Sequence, residues 1–377
     1  MAIIYVMHSR AWLRIVVPGH VPPLPGTADH ISVIVPARNE GRNIRRCILA
    51  LLAQTYPNFE IIVVDDRSSD ATSIILTAIQ KKSPERLKII AGGDLPPGWA
   101  GKPHALHLGV QQAHGDWLCF VDADTFAAPD LLTAAFQTTQ AHHADLFTLL
   151  TQQELGSFWE KVILPLVFTA LSFGFPADRV NDPHRPEAIA NGQFILIRRS
   201  VYDAVGGHAA IRDQIAEDKA LAQRVKRHGY RLIIADGRGV ASTRMYTRFA
   251  EIWEGWTKNI YLGMRDRLGL LLFGSLVSLA AALLLPAWLL GGIAWFLTAG
   301  PQTSTADVAI VVVQALVLWA YLIYWRVRAS LAFKISPLYA FSLPLGALIF
   351  TAMMFASAFK VLSGQGVTWK GRTYNEN

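Results

Sequence analysis

Trp117-Leu118-Cys119-Phe120-Val121-Asp122-Ala123-Asp124 is an apolar run that ends abruptly in two carboxylates. Packing alone gives no reason for such an ending. Residues 117–121 read as a buried strand, and acids just past its end stand at the sheet edge where open α/β folds bind ligands. Two carboxylates this close repel each other unless positive charge lies between them. A divalent ion held by hard oxygens is the simplest partner, and it would in turn hold a diphosphate.

The chain upstream repeats the pattern. Ile31-Ser32-Val33-Ile34-Val35-Pro36 reads as a short buried strand. The polar turn Ala37-Arg38-Asn39-Glu40-Gly41 follows, then a helix with Ile44, Ile48, Leu51 and Leu52 on one face until Tyr56-Pro57 stops it. Glu60-Ile61-Ile62-Val63-Val64-Asp65-Asp66 is a second strand ending in acids, with Ser68, Ser69 and Asp70 as N-cap candidates for a helix to about residue 80. A third strand at 87–91 leads through Pro96-Pro97-Gly98-Trp99 to a helix opened by Lys102 and closed by Gly115. This alternation predicts an α/β fold with a central, mainly parallel sheet.

The turn Asp65-Asp66-Arg67-Ser68-Ser69-Asp70 contains no glycine, which argues against an NAD or FAD site. Acids there suit hydrogen bonding to a ribose hydroxyl or a base N–H, since a carboxylate only accepts. Lys102 at a helix N-terminus opposes the dipole, so it is either a solvated lysine or a group placed for an anion.

Downstream, Pro129 is expected at the N1 position of a helix and residues 145–152 as a strand. Residues 157–175, with Glu160, Lys161 and Pro165, read as a buried or membrane-surface helix. Val180-Asn181-Asp182-Pro183-His184 reads as loop, 188–198 as a strand around Asn191-Gly192-Gln193, and Gly206-Gly207-His208 as a flexible turn. Glu217-Asp218 opens a helix running to about residue 228. Acids in a first turn are ordinary dipole compensation, worth under about 1 kcal/mol each.

The 377 residues carry a formal charge of +7 and are 52% hydrophobic, too apolar for one soluble domain. The long uncharged runs lie after Gly269: 269–297, 307–325 and 338–359, each long enough to cross a bilayer. Residues 251–267 read as an amphipathic helix at headgroup level or as a core helix. Arg326, Arg328 and Lys334 follow the second apolar stretch, whereas 298–306 has no Lys or Arg, which predicts an integral protein of the cytoplasmic membrane with its N-terminal domain in the cytosol. Lys360, Lys370 and Arg372 fit that topology poorly, so the third stretch is either re-entrant or followed by a tail that breaks the rule. Residues 1–17 contain no apolar run of signal or anchor length and leave an interfacial helix open, and 18–25 form a Pro-rich linker. Cys47 and Cys119 lie in apolar settings without CxxC spacing, so they are expected as buried thiols in a reducing compartment. The expected division is a linker to 30, a catalytic domain over 31–248, an interfacial helix over 249–268, a transmembrane region over 269–360 and a polar tail over 361–377. Nothing in the chain calls for nucleic acid.

The ordered series Val35-Pro36-Ala37-Arg38-Asn39-Glu40, Val64-Asp65-Asp66-Arg67-Ser68-Ser69-Asp70, Gly101-Lys102, Gly115-Asp116, Asp122-Ala123-Asp124 and Glu217-Asp218 resembles family 2 glycosyltransferases over residues 31 to about 235. Pro97-Gly98-Trp99-Ala100-Gly101-Lys102, Val180-Asn181-Asp182-Pro183 and Thr368-Trp369-Lys370-Gly371-Arg372-Thr373-Tyr374 are similar to a membrane-bound group near hopanoid-associated and carotenoid-type enzymes. The resemblance implies a GT-A-like (Rossmann-like) domain that takes a nucleotide-diphosphate sugar, with UDP-sugar the commonest donor, and a divalent metal, Mg2+ or Mn2+. It implies inverting transfer of one hexose to a hydroxyl of a lipid or isoprenoid acceptor. By the same carry-over, Pro36, Arg38, Glu40 and Asp66 hold the nucleoside, and Lys102 faces the diphosphate. Asp122 and Asp124 serve ribose and metal, and Asp218 is the base. Processive members carry Gln-x-x-Arg-Trp, whereas Ile252-Trp253-Glu254-Gly255-Trp256 matches only the Trp. A processive polysaccharide synthase, a nucleotidyltransferase and a non-catalytic membrane subunit are the alternatives.

Overall fold

The computed structural model describes residues 13–14, 22, 24–264, 268–298, 305–363, 367–369 and 372–374. Two compact units divide the chain: Met1–Glu154 with Ser172–Met245, and Leu155–Leu171 with Tyr246–Asn377. The expected interfacial helix over 1–17 and most of the Pro-rich linker lie outside the described residues.

In the first unit, β-branched runs become strands because they fill a sheet buried on both faces. The order is β1 (Leu13–Arg14), β2 (Ile31–Ala37), α1 (Ile44–Leu52), β3 (Phe59–Asp65), α2 (Thr72–Gln80), β4 (Leu87–Ala91), α3 (Gly101–Gln111) and β5 (Trp117–Phe120). Then come β6 (Thr125–Ala127), α4 (Leu131–Ala141), β7 (Leu146–Leu150) and β8 (Gln152–Gln153). Beyond α5 (Phe158–Gly174), which lies mostly in the second unit, follow α6 (Ala177–Asn181), β9 (Ile195–Arg198), α7 (Arg199–Ala204), α8 (Glu217–Arg227), β10 (Leu232–Asp236) and β11 (Ala241–Thr243).

Eight strands form one sheet in the order β1-β10-β7-β9-β5-β2-β3-β4. All neighbours run parallel except β9, which is antiparallel to both β5 and β7. Strands β6, β11 and β8 make a small second sheet. Ile34 pairs with Phe120 and Ala37 with Asp65, so the turns after β2, β3 and β5 all leave at one carboxyl edge. Helix α3 lies close against β2: a Cβ on Gly109 would stand 2.4 Å from Ile34 Cγ2. That glycine lets the helix approach the sheet and sets the N-terminal turn holding Lys102 beside the end of β5.

Three elements differ from the expectations, each for a local reason. The strand expected over 188–198 is only Ile195–Arg198. Asn191 accepts from the Phe194 N–H at 3.0 Å, and its side-chain amide donates to Leu149 O and Gln193 Oε1, which makes 191–194 a turn. Val180 and Asn181 end helix α6 rather than lying in loop. Asn181 pairs its side-chain amide with both backbone groups of Ile234, at 3.0 and 2.7 Å. Helix α4 begins at Leu131, not Pro129, because Leu131 N first closes a turn on Ala128 O.

In the second unit, α5 starts at a capping box: Glu160 N donates to Ser157 Oγ at 3.3 Å, and Ser157 N donates back to Glu160. Val162, Ile163, Leu164 and Val167 are buried, while Phe158 and Leu171 of the same helix are exposed. Helix α9 (Phe249–Met264) buries Ile252, Trp256 and Lys258. Helices α10 (Leu268–Thr298), α11 (Thr305–Ala332) and α12 (Leu343–Leu362) take up the apolar stretches, and the tail forms a hairpin of β12 (Val367–Trp369) and β13 (Arg372–Tyr374). Among the described residues, Ala309–Ala332 and Pro337–Lys360 are long and apolar enough to cross a membrane. In α10, which contains Pro286, the apolar segment found there is the shorter Pro286–Thr298.

Candidate active site

Two turns at the carboxyl edge are laced together. Asn39 and Arg67 both take left-handed φ of 54°, which points their neighbours' backbone amides across the gap. Asn39 N donates to Ser68 Oγ at 2.9 Å, Glu40 N to Thr72 Oγ1 at 2.8 Å, and Gly41 N to Asp70 Oδ2 at 2.9 Å. Ser69 N returns a bond to Asn39 Oδ1 at 2.8 Å. Below this lacing, Arg38 Nη1 donates to Asp66 O at 3.0 Å and lies 3.7 Å from the Asp66 carboxylate, which is buried. A carboxylate so held can accept a hydrogen bond from a base N–H or a ribose hydroxyl.

Beside it, acids from two segments meet one ammonium. Lys102 Nζ stands 2.6 Å from Asp122 Oδ1 and 2.6 Å from Glu217 Oε1. Asp218 completes the group: its Oδ2 accepts from Gly192 N at 3.1 Å, and its Oδ1 from Lys219 N at 2.7 Å. Gly192 has no room for a side chain, since a Cβ would meet Lys102 Nζ at 2.9 Å, Asp122 Oδ2 at 3.3 Å and Asp218 Oδ2 at 3.4 Å. Burial pushes the Glu217 carboxyl up to about 7, with Asp218 and Asp122 adding to the rise against the pull of Lys102. Burial likewise raises Asp122, and the acids hold Lys102 well above its ordinary value although burial pulls it down. A neutral His208 and the apolar Leu106, Phe120 and Ile195 close the pocket.

Three carboxylates against one ammonium leave excess negative charge, which adds to the burial that raises Glu217 and Asp122. A divalent cation fits that charge and the hard-oxygen donors. Among the described residues no three His, Cys, Asp or Glu side chains gather as a ready metal cage. Mg2+-type sites take one or two protein carboxylates and complete the sphere with water and substrate phosphates. Asp122 and Asp124 can supply that share. Both act on buried Cys47, whose thiol is raised by burial first and then by Asp124, Glu40 and Asp122.

The structure thus places Lys102, Asp122 and Asp218 in one cluster with Pro36 at its wall. Arg38 and Asp66 pair in the adjacent turn. Glu40 and Asp124 both act electrostatically on Cys47, and Glu40 also on Asp122. Glu217, Gly192 and His208 were not among the expected site residues. Glu217 had a signal in its adjacency to Asp218; His208 had only the glycine pair before it.

The family model described as Glycosyl transferase family 2 matches residues 32–206. The chain carries a family 2 glycosyltransferase domain. Relatives of this glycosyltransferase include the 4,4'-diaponeurosporenoate glycosyltransferase of Staphylococcus aureus strain MRSA252, 27% identical over 353 residues that cover 92% of this chain and 88% of the relative. The strain USA300 protein of the same name is 27% identical over 352 residues, with the same coverage. The fold is that of a mannosyltransferase from Pyrobaculum calidifontis solved with GDP-Man and Mn2+, at a TM-score of 0.52 and 19% identity over 96% of this chain and 94% of that one. These similarities are to glycosyltransferases and favour that activity over the nucleotidyltransferase and the non-catalytic subunit.

Proposed function

We propose that this glycosyltransferase moves one sugar from a nucleoside diphosphate sugar to a lipid-like acceptor, with inversion, at a membrane. The observation that carries the reading is the cluster in which Lys102 bridges Asp122 and Glu217 beside Asp218. The nucleoside lies against the turn Pro36 to Glu40 and Asp66, UDP being the expected carrier. Asp122 and Asp124 would hold a divalent cation, which would supply charge stabilisation to the departing diphosphate. Lys102 adds a fixed positive charge at the same place. Asp218, oriented by the N–H groups of Gly192 and Lys219, takes the proton of the acceptor hydroxyl. One base and one leaving group on opposite sides of the sugar carbon give a single displacement and therefore inversion.

Two features support a membrane acceptor. Ala309–Ala332 and Pro337–Lys360 have spanning length, and Val317, Leu338 and Phe359 on them are exposed. The S. aureus relatives are named for 4,4'-diaponeurosporenoate, and a carotenoid-type lipid is the acceptor class we assign here. Arg328 at the end of the first span and Lys334 just beyond it support a cytosolic catalytic unit by the positive-inside rule.

Mass analysis of membrane lipids from cells with and without the protein is the deciding experiment. One lipid gaining a single hexose, with nucleoside diphosphate as co-product, is expected. A ladder of hexose additions would mean a processive enzyme, and unchanged lipids would remove the acceptor class.

A further inference from the structure

His208 is 1% exposed, yet one of its ring nitrogens is left over. Its backbone N–H donates to Tyr202 Oη at 2.9 Å, and the same oxygen lies 2.9 Å from His208 Nδ1. The Gly206-Gly207 turn makes this possible. Gly207 takes φ of 49°, and a Cβ there would stand 2.4 Å from the Tyr202 ring, so only glycine lets the phenol reach back. Nδ1 is the acceptor within reach of the Tyr202 hydroxyl among the described residues, so we assign the Tyr202 proton to that bond and the remaining proton of the neutral ring to Nε2. The ring stays neutral because burial pushes it down to about 3, helped by Lys102 and His107. Phe120, the last residue of β5, meets the ring edge to face at 4.9 Å, fixing it two residues from Asp122 in the pocket wall.

Among the described residues Nε2–H has no hydrogen-bond partner, and the ring lines the pocket. The pocket it lines holds Lys102 with Asp122, Glu217 and Asp218, whose carboxylates accept hydrogen bonds from neutral hydroxyls. A sugar hydroxyl can donate to such a carboxylate while accepting from Nε2–H. We infer that His208 reads one hydroxyl of the transferred sugar through Nε2–H, a specificity-determining contact that rests on the nucleotide-sugar reading above.

Full-length protein in detergent is titrated calorimetrically with UDP, GDP, UDP-glucose and GDP-mannose, then with monodeoxy analogues of whichever sugar nucleotide binds. Wild type should lose about tenfold in affinity toward one deoxy analogue, the cost of one neutral hydrogen bond. His208→Phe should bind the free diphosphate within about twofold of wild type, bind the intact sugar nucleotide about tenfold more weakly, and lose the discrimination against that analogue. His208→Gln, which returns an amide N–H, should recover part of it. Undiminished discrimination in His208→Phe, or equal weakening of the free diphosphate, overturns the inference. If wild type binds the diphosphates but neither sugar nucleotide more tightly, the sugar contact falls while the nucleotide site stands. If wild type binds none of the four, the donor reading itself fails and the inference with it.

Discussion

At the residue scale, the acid cluster makes its members unequal. Glu217 has a folded-state value near 7 against an ordinary 4.5, so the folded protein holds its proton more tightly than the unfolded chain does. The resulting stability is present below about 4.5 and lost as pH rises through about 7. Thermal unfolding of the metal-free protein should therefore show wild type losing stability relative to Glu217→Gln between those values, and parallel curves would remove the shift. Asp218 differs because both its oxygens are held by backbone N–H groups. Asp218→Asn should abolish transfer while donor affinity stays within about twofold of wild type, and surviving transfer would show that Asp218 is not the base. Asp124→Ala should weaken Mn2+-dependent donor binding by about tenfold or more, read by titration with and without a chelator. Unchanged metal dependence would take Asp124 out of the site.

At the element scale, helix α5 carries Pro165 inside it, which leaves the Lys161 carbonyl without its helical N–H partner. Arg326 of α11 fills the gap, donating Nη2 to Lys161 O at 2.7 Å and Nη1 to Ser330 Oγ at 3.2 Å. It is 3% exposed and lies within the helix, so it is no loop cation of the kind the charge pattern along the sequence suggests. Arg326→Leu should destabilise this unit by about 1–3 kcal/mol, the cost of an unpaired buried carbonyl. Adding Pro165→Ala, which restores an N–H, should reduce that cost. Thermal unfolding in detergent of the two single variants and the double variant measures the coupling, and additivity would deny it. Strand β9 teaches the same lesson: its sequence reads as strand from 188, but the side chains of Asn191 and Gln193 divert residues 191–194 into the turn that presents Gly192 N to Asp218.

At the scale of the whole molecule, the apolar second half should govern how the protein is handled. If its long helices lie in lipid, high salt and alkaline carbonate should leave it with the membrane fraction and only detergent should release it. Release by salt alone would remove the spans. The sequence by itself determined the sheet and its acidic edge, because strands buried on both faces must be continuous apolar runs, and turns that bind polar ligands must break them at Arg38, Asp66 and Asp122. It determined the apolar tail for the same reason of composition. It did not determine that Lys102 binds Asp122 and Glu217, that Gly192 leaves space for their meeting, or that Tyr202 fixes the His208 ring. Those contacts join residues up to 115 positions apart, as in the pairing of Lys102 with Glu217. No local periodicity encodes such a meeting; only the strand order and the close packing of α3 on β2 brought it about.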